Sequence, residues 1–464
     1  MKHIDIKDVL TKEEYLQQEV TICGWVRTSR DSKTMAFLEL NDGTSFKHIQ
    51  IVVDKNTFAK AEELPEFMRL GSSLKVVGTV VPSAVNKAGG VEINATDIVL
   101  LGTCPPDYPL QKKRHTLEFL RTMPHLRLRS NTFNAVFHVR STLAAAIHEY
   151  FQSNGYVYIN TPLITGSDAE GAGEVFQVTT IGYDGEHKYE SEADYYADDF
   201  FGQKAGLSVS GQLEGEMAAM AFGKIYTFGP SFRAEKSNTQ RHVAEFWHVE
   251  PEVAFAELPD VLEIAEDMVK TIVKKTMDQC PDEMQFFDRF MEKGLLDKLD
   301  HVVNSSFEVL DYTKAIELLQ KADADFKFPV EWGIDLQTEH ERYLTEQICK
   351  KPVFVINYPK EIKSFYMKQN DDGKTVAASD LLVPGVGEII GGSERESDYD
   401  KLLQAMNDRH MDLTPYSDYL DLRKYGSVPH GGYGLGFERM VMYCTGMQNI
   451  RDVIEYPRTV GSIR

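Results

Sequence analysis

Short stretches in which apolar and polar residues alternate dominate the N-terminal part of the chain. Alternation over about four to eight residues is typical of β-strands with one buried face. The stretches are VTICGWVRTS, MAFLEL, HIQIVVD, SLKVVGTVV and VEINATDIVL, and a short helical pattern, NTFAKAEELPEFMRL, separates the third from the fourth. Five strands with a helix at this point predict an OB-fold β-barrel over residues 1–103. Such barrels bind single-stranded nucleic acid or sugars, so the fold alone leaves the function open.

The pattern changes after the predicted barrel. Residues 104–130 contain several prolines and the basic cluster 112–114, and we predict a hinge there. Apolar residues then recur at helical spacing over Asn131–Ser153, which predicts an amphipathic helix, and a second helix is predicted over 257–280. Residues 281–350 are expected to be mostly helical and to form an insertion.

Strand patterns return in the last third of the chain. They are PVFVINYP, SFYMKQN and EIIGGSER, and a glycine-rich run, GGYGLG, leads into a helix predicted from Phe437. Helices and strands are therefore both expected over residues 131–464.

Composition limits the class of protein. A chain of 464 residues predicts two or three domains, and 42% hydrophobic with 26% charged residues is ordinary for a globular protein. The chain has no apolar run of about 18–20 residues and no apolar signal segment at its start, so we expect a soluble protein with no membrane partner. Five scattered cysteines favour a reducing, cytoplasmic location. The net charge of −21 argues only mildly against nucleic-acid binding, because a local basic groove remains possible.

The densest group of chemically active side chains lies in FGPSFRAEKSNTQRHVAEFWHVEPE, residues 228–252. Strand alternation puts Arg233 and Glu235 on one face of the first run. It puts Phe246, His248 and Glu250 on one face of the second. A face that carries guanidinium, imidazole and carboxylate groups beside an aromatic ring suits a nucleotide.

The usual phosphate-binding loops are missing from the sequence. It contains no GxxxxGK[ST], and GGYGLG does not match GxGxxG. A triphosphate would therefore be held by arginines and a metal ion. Arg233 and Arg439 are candidates for phosphate contacts, Phe246 for stacking on adenine, and Asp380 with Glu388 for holding Mg²⁺.

These segments resemble the three signatures of the class II aminoacyl-tRNA synthetases. The predicted helix followed by GYVYINTP matches the first, FRAE…RHVAEFWHVEPE the second, and GGYGLGFERM the third. TGSDAEGAGEVF, LSVSGQLEGE and PGVGEIIGGSERE are similar to the asparagine-specific branch of the aspartyl/asparaginyl/lysyl subgroup. The resemblance covers essentially the whole chain. It implies an α+β protein, with an anticodon-binding OB-fold barrel followed by a catalytic domain over residues 131–464 that has an antiparallel sheet flanked by helices.

The resemblance also implies an activity. The enzyme would be a homodimer that uses ATP and Mg²⁺ to form an asparaginyl-adenylate and transfers asparagine to tRNA(Asn). Catalytic roles fall to Arg233, Glu388 and Arg439. The implied ATP-binding residues are Arg233, Glu235, Arg241, His242, Phe246 and Arg439, and the implied metal ligands are Asp380 and Glu388.

The amino-acid and anticodon sites follow from the same resemblance. Glu170 and Gln212 would receive the substrate ammonium group, and Arg395 would donate to the side-chain carbonyl. Glu214 would accept from the asparagine amide, next to Gly215 where aspartate-specific relatives carry a lysine. The implied anticodon contacts are Arg27, Phe37 and Gln50, with Phe37 stacking on the middle uridine.

Three other functions stay open. An aspartyl-tRNA synthetase, possibly non-discriminating, is the nearest, and Gly215 argues against it. A relative that amidates free aspartate would lack the barrel. A non-catalytic RNA-binding protein would have no use for an intact set of Arg233, Glu388 and Arg439. The final segment, EYPRTVGSIR, also departs from the family's usual ending.

Overall fold

The alternating N-terminal stretches form five strands in the computed structural model, which describes residues 2–83, 90–169, 175–182, 189–237 and 239–463. The strands are β1 (Glu19–Asp31), β2 (Met35–Asn41), β3 (Ile49–Asp54), β4 (Ser73–Pro82) and β5 (Val91–Gly102). They close into a barrel in the order β1-β2-β3-β5-β4, so the predicted OB fold is confirmed. Alternate residues such as Ala36, Leu38 and Leu40 fill the barrel, and Phe37 points to its outer face.

The chain divides into two compact units, Met1–His138 and Val139–Arg464. The helices of the first unit are α1 (Ile6–Thr11), α2 (Leu64–Phe67), α3 (Leu117–Arg121) and α4 (Pro124–Arg127). The segment 104–130, predicted as a hinge, belongs to this first unit and contains α3 and α4. Its role as a hinge stays a prediction.

A sheet of eight strands organises the second unit, in the order β11-β12-β13-β14-β15-β10-β9-β6. Its strands are β6 (Val157–Tyr158), β9 (Lys224–Phe232), β10 (Glu245–Ala254), β11 (Glu308–Asp311), β12 (Val353–Pro359), β13 (Thr375–Val383), β14 (Gly387–Glu394) and β15 (His430–Gly436), while β7 (Ile164–Thr165) and β8 (Gly206–Leu207) form a separate pair. The neighbouring strands are antiparallel except for the outermost pairs, β11 with β12 and β6 with β9. The predicted α+β class is confirmed, with parallel pairs added at both edges of the sheet.

Eleven helices of the described residues accompany this sheet. They are α5 (Asn131–Ser153), α6 (Glu192–Ala197), α7 (Gln212–Phe222), α8 (Leu258–Gln279), α9 (Pro281–Phe290), α10 (Leu295–Asn304), α11 (Tyr312–Gln320), α12 (Thr338–Tyr343), α13 (Tyr399–Asp408), α14 (Ser417–Asp421) and α15 (Phe437–Thr445). The predicted helix over Asn131–Ser153 has these same bounds, and α8 begins and ends within one residue of its prediction.

Two expectations about the second unit need correction. SFYMKQN, predicted as a strand, makes only isolated bridges, from Met367 to Arg395 and from Gln369 to Val376. Its consecutive residues Phe365, Tyr366 and Met367 are all buried, so it lacks the alternation of a strand. The segment 281–350 is mostly helical as expected, but it also supplies β11 and therefore takes part in the main sheet.

The central strand β15 packs too closely for side chains at one of its glycines. A Cβ on Gly432 would collide with the carbonyl oxygen of Pro251 and the carboxylate of Glu252. We expect Gly432→Ala to lower the free energy of unfolding by about 2 kcal/mol, because the neighbouring strand must move to make room. Urea denaturation measures this loss.

Gly434, two residues along the same strand, provides the matched control. The nearest atoms to a Cβ on Gly434 are 3.9 and 4.0 Å away, so Gly434→Ala should change stability by no more than about 0.5 kcal/mol. Equal losses in the two variants would contradict this packing argument.

Candidate active site

A groove crosses the sheet where β9, β10, β14 and β15 lie side by side. The alternation of β10 presents Phe246, His248 and Glu250 to this groove, as the sequence predicts. Arg233 follows the end of β9, and its Cζ lies 5.3 Å from the centre of the Phe246 ring. The groove has two ends, and Arg233, His248, Glu388 and Gly434 line both of them.

The first end gathers the predicted ATP-binding residues. Its lining includes Arg233, Glu235, Arg241, His242, Phe246, Glu388 and Arg439. All six predicted ATP-binding residues are therefore brought together, although Glu235 is exposed at the rim. Burial, together with the nearby Arg439, lowers the pKa of His242, so this imidazole is neutral at pH 7. An aromatic ring with the Arg233 guanidinium beside it suits a flat base that carries phosphates.

Arg439 is fixed by Glu388. Its Nη1 donates to the backbone oxygen of Glu388 at 2.9 Å and to Oε2 at 3.4 Å. Arg439 stands in the first turn of α15, directly after the glycine-rich strand β15. Burial opposes ionisation of Glu388, but Arg439 and Lys363 outweigh it and lower the pKa of this carboxyl.

Asp380 and Glu388 meet at Gly391, which forms a small cradle between them. A Cβ on Gly391 would lie 3.1 Å from Glu388 Oε1 and 3.6 Å from Asp380 Oδ1. The other oxygens of these carboxylates contact cations: Asp380 Oδ2 is 2.6 Å from Lys363 Nζ, and Glu388 Oε2 faces Arg439. Burial, with a smaller contribution from Glu388, raises the pKa of Asp380.

This cradle fits Mg²⁺ bound together with substrate phosphates. The described residues contain no group of three or more His, Cys, Asp or Glu side chains suited to a metal ion. Mg²⁺ is usually held by one or two carboxylates plus phosphate oxygens and water, so two carboxylates over a glycine are sufficient.

The second end of the groove contains the predicted amino-acid residues Gln212 and Arg395. Both are buried and line this end together with Glu252 and Tyr366. Arg395 donates to both carboxylate oxygens of Glu252, at 2.5 and 3.3 Å, and to Ser393 Oγ at 2.7 Å. The Gln212 amide donates to Glu216 Oε1 at 2.9 Å.

Glu216 lies at the centre of a buried polar network behind this end. It accepts hydrogen bonds from the Tyr419 hydroxyl and from Arg423 Nη2, and its Oε2 lies 2.9 Å from His430 Nε2. Burial disfavours its charge, but Arg423 and His430 outweigh burial and lower its pKa. Glu252 differs, because burial raises its pKa to about 7 despite the pair with Arg395. The network fixes Gln212 and Arg395 in place.

The structure does not place the two other predicted amino-acid residues, Glu214 and Glu170, at this end. Glu214 is half-buried on α7, and burial raises its pKa, but it is not among the described residues that line the groove. Its role stays a prediction. Glu170 lies outside the described residues.

The predicted anticodon residues lie on the barrel of the first unit. Phe37 faces outward, and Gln50 donates to Glu92 Oε2 at 2.9 Å. Arg27 donates to Asn131 Oδ1 at 2.8 Å and sits at an irregularity between Val26 and Thr28. The arginine nearest to Phe37 is Arg30, its cross-strand partner, whose Cζ is 4.7 Å from the ring centre.

Several groups at these sites were not predicted from the sequence. They are Arg30 on the barrel, Glu252, Lys363 and Tyr366 in the groove, and Glu341 behind it. Strand register could have suggested Arg30, because it directly follows the predicted strand VTICGWVRTS, which a short turn joins to the predicted strand of Phe37. Glu341 gives no such signal, since it comes from a helical segment distant in the sequence.

A mostly antiparallel sheet with an arginine-lined groove, joined to an OB-fold barrel, defines the catalytic class that the sequence motifs implied. The chain belongs to the family of tRNA synthetases class II (D, K and N), whose model matches residues 116–460, and an OB-fold nucleic acid binding domain matches residues 20–101. The predicted family membership is confirmed.

Relatives share this architecture along nearly their whole length. The chain is 58% identical to an asparagine–tRNA ligase of Clostridium botulinum, over 97% of this chain and 96% of the relative. A relative of the same name from Desulfitobacterium hafniense is also 58% identical, over 96% of each chain. An asparaginyl-tRNA synthetase of Pyrococcus horikoshii, solved with asparaginyl-adenylate, superposes with a TM-score of 0.86 at 34% identity and 99% coverage of both chains. No helix among the described residues has the length and apolar character needed to cross a membrane.

Proposed function

We propose that this chain is an asparagine–tRNA ligase that activates asparagine with ATP and transfers it to tRNA(Asn). The observation that carries the proposal is the position of Arg233, which lines both ends of the groove. A group in this position contacts the α-phosphate of an ATP molecule at one end and the carboxylate of an amino acid at the other. These are the two groups that react when an aminoacyl-adenylate forms.

The residues of the groove position the reactants and stabilise charge, and no side chain acts as a nucleophile. Phe246 stacks on the adenine, while Arg241, His242 and Arg439 hold the β- and γ-phosphates. The asparagine carboxylate attacks the α-phosphorus in line, the bond to the bridging oxygen breaks, and pyrophosphate leaves. Arg233 stabilises the negative charge that develops on the α-phosphate oxygens. Holding both reactants in line supplies much of the remaining acceleration.

Asp380 and Glu388 would hold Mg²⁺ at the Gly391 cradle. When bound, Mg²⁺ neutralises phosphate charge and orients the triphosphate. Lys363 donates to Asp380 and thereby keeps the Asp380 carboxylate oriented at the edge of the groove.

Asparagine is favoured over aspartate by the charge around Arg395. The guanidinium is already paired with Glu252, so the site has little positive charge left for a substrate carboxylate and suits a neutral amide. A Cβ on Gly215 would lie 3.5 Å from Glu252 Cγ. A lysine there, as in aspartate-specific relatives, would reach Glu252 and change this balance. Glu214 can contribute further as an acceptor for the amide.

ATP–pyrophosphate exchange with asparagine and with aspartate, compared side by side, tests the proposal. We expect exchange with asparagine and at least about 1,000-fold less with aspartate at equal concentration. Exchange with aspartate at a comparable rate would instead identify an aspartyl-tRNA synthetase. No exchange with either amino acid would show that the protein does not catalyse amino-acid activation.

The barrel supplies the proposed anticodon contacts. We expect Phe37→Ala to raise KM for tRNA about tenfold, because one stacked base is lost. The rate of ATP–pyrophosphate exchange without tRNA should not change. Phe119→Ala removes a partly exposed ring elsewhere in the first unit and is the control. If the KM for tRNA is unchanged in the Phe37→Ala variant, Phe37 does not contribute to anticodon binding.

The proposed enzyme is a cytoplasmic homodimer. Val157, Tyr158, Leu163 and Ile164, in and beside β6 and β7, are about 40% exposed. Exposed apolar side chains concentrated in one short segment favour an interface, and a second copy of the chain is its proposed occupant.

Sedimentation velocity tests this interface. Ile164→Glu should convert a dimer of 52.6 kDa chains into monomers, because it buries a charge at the contact. Val309→Glu places the same charge on the exposed edge strand β11 and should leave the dimer intact. A wild-type protein that sediments as a single chain would contradict the proposal.

A further inference from the structure

Helix α12 lies against the turn that leads into Glu388. The turn joins β13 to β14, and two glutamates from one short segment hold it. Glu341 Oε2 accepts from the backbone N–H of Glu388 at 3.2 Å, and Glu346 Oε1 accepts from the N–H of Gly385 at 2.9 Å. Glu346 belongs to a π-helical turn, Leu344–Ile348, that follows α12 directly. Both ends of the turn are therefore fixed by this one segment.

The same helix also reaches the arginine-bearing loop. Arg241 Nη1 donates to Thr338 Oγ1, in the first turn of α12, at 3.0 Å. Gly387 has a φ of +87°, and a Cβ on it would collide with Glu341 Oε2 and lie 3.1 Å from Arg241 Nη1. The carboxylate, the guanidinium and the glycine backbone meet at one point with no room for another side chain.

The peptide groups of Glu388 are consequently held on both sides. Its N–H is bound by Glu341, and its carbonyl oxygen accepts from Arg439 Nη1 at 2.9 Å. Glu341 itself is more than nine-tenths buried and stands behind the groove. Burying a carboxyl group costs free energy unless the group is hydrogen-bonded. The hydrogen bond from the Glu388 N–H to Glu341 therefore stabilises both residues in this position.

We propose that Glu341 is a positioning residue of the ATP site, which holds Glu388 and Arg241 in the arrangement that the triphosphate and its Mg²⁺ require. This inference rests on the proposed function of the groove in binding ATP. Glu341 does not line the groove; it acts through the Glu388 backbone and through its own helix, where Thr338 accepts from Arg241.

Three variants of the full chain test the inference. Glu341→Ala removes the acceptor, Glu341→Gln keeps a carbonyl oxygen in its place, and Glu339→Ala is the matched control. Glu339 is on the same helix and also accepts from a backbone N–H, that of Phe328 at 2.9 Å. ATP–pyrophosphate exchange gives KM for ATP, KM for asparagine and the Mg²⁺ concentration for half-maximal rate. Calorimetric titration with ATP and Mg²⁺ gives the affinity without any amino acid.

We expect Glu341→Ala to weaken ATP binding about tenfold, because the buried N–H of Glu388 loses its acceptor. The Mg²⁺ requirement should rise as well, while KM for asparagine stays within about twofold. Glu341→Gln should recover ATP binding to within about threefold of wild type, and Glu339→Ala should leave it unchanged.

Two results would overturn the inference. One is an equal rise in the KM values for ATP and asparagine in Glu341→Ala. The other is the same loss of ATP binding in Glu339→Ala. A wild-type protein that binds ATP but shows no exchange with asparagine would refute the proposed function alone, and the tenfold loss in calorimetry would still support the role of Glu341.

Discussion

Arg439→Ala is expected to reduce asparagine-dependent ATP–pyrophosphate exchange by at least about 1,000-fold. Arg439 reaches the groove from the first turn of α15 and is oriented by two hydrogen bonds to Glu388. Its loss would remove the proposed phosphate contact and would free the carboxylate of Glu388 at the same time. The two effects act on the same transition state, so the loss should appear in kcat as well as in KM for ATP.

Folding should survive this substitution. Arg439 and Glu388 are both partly exposed in the groove, and Glu388 keeps Lys363 as a nearby cation, so its charge stays compensated. The urea midpoint should stay close to that of wild type. Arg289→Ala removes an exposed arginine on α9 and is the control for overall charge. Wild-type exchange in a folded Arg439→Ala variant would mean that the phosphates bind elsewhere.

Arg395→Ala should have the second largest effect, on both activity and stability. Asparagine-dependent exchange should fall by at least about 100-fold, because the substrate side chain loses its principal donor. The free energy of unfolding should fall by about 1.5 kcal/mol at pH 8, because the buried Glu252 loses its partner and must take up a proton. The pKa of Glu252 is raised in the folded state. Its ionised form therefore becomes increasingly unfavourable in the folded protein as the pH rises above the pKa of a glutamate in the unfolded chain. The stability deficit should therefore shrink as pH is lowered towards 5.

The double variant Arg395→Ala/Glu252→Gln separates these two effects. A neutral amide at position 252 removes the stranded charge, so most of the stability should return. Exchange with asparagine should remain low, because no donor has been restored. Recovery of exchange along with stability would show that Arg395 only supports the fold.

Local patterns predicted much of this molecule. The barrel strands, the helix Asn131–Ser153 and the cluster around Arg233 and Phe246 follow from alternation, helical spacing and residue chemistry within short windows. The glycine-rich run before Arg439 likewise predicted the start of a helix at Phe437.

Contacts between distant segments could not be predicted in the same way. SFYMKQN has the composition of a strand, yet tertiary packing buries its successive aromatic residues and prevents regular pairing. Nothing in the local sequence distinguishes Glu252 from the other carboxylates of its strand. Its importance follows only from the bidentate pair with Arg395, which is distant in the sequence. The proposed role of Glu341 depends on its position beside Gly387 and near Arg241, and these three residues come from separate parts of the sequence.

Identification of the amino acid that becomes attached to tRNA tests the central claim most directly. Purified protein is incubated with ATP, Mg²⁺, tRNA(Asn) and an equimolar mixture of labelled asparagine and aspartate, and the amino acid released from the charged tRNA is then identified. Asparagine should account for essentially all of it. Aspartate on the tRNA, or tRNA that stays uncharged while the protein is folded, would contradict the proposed function.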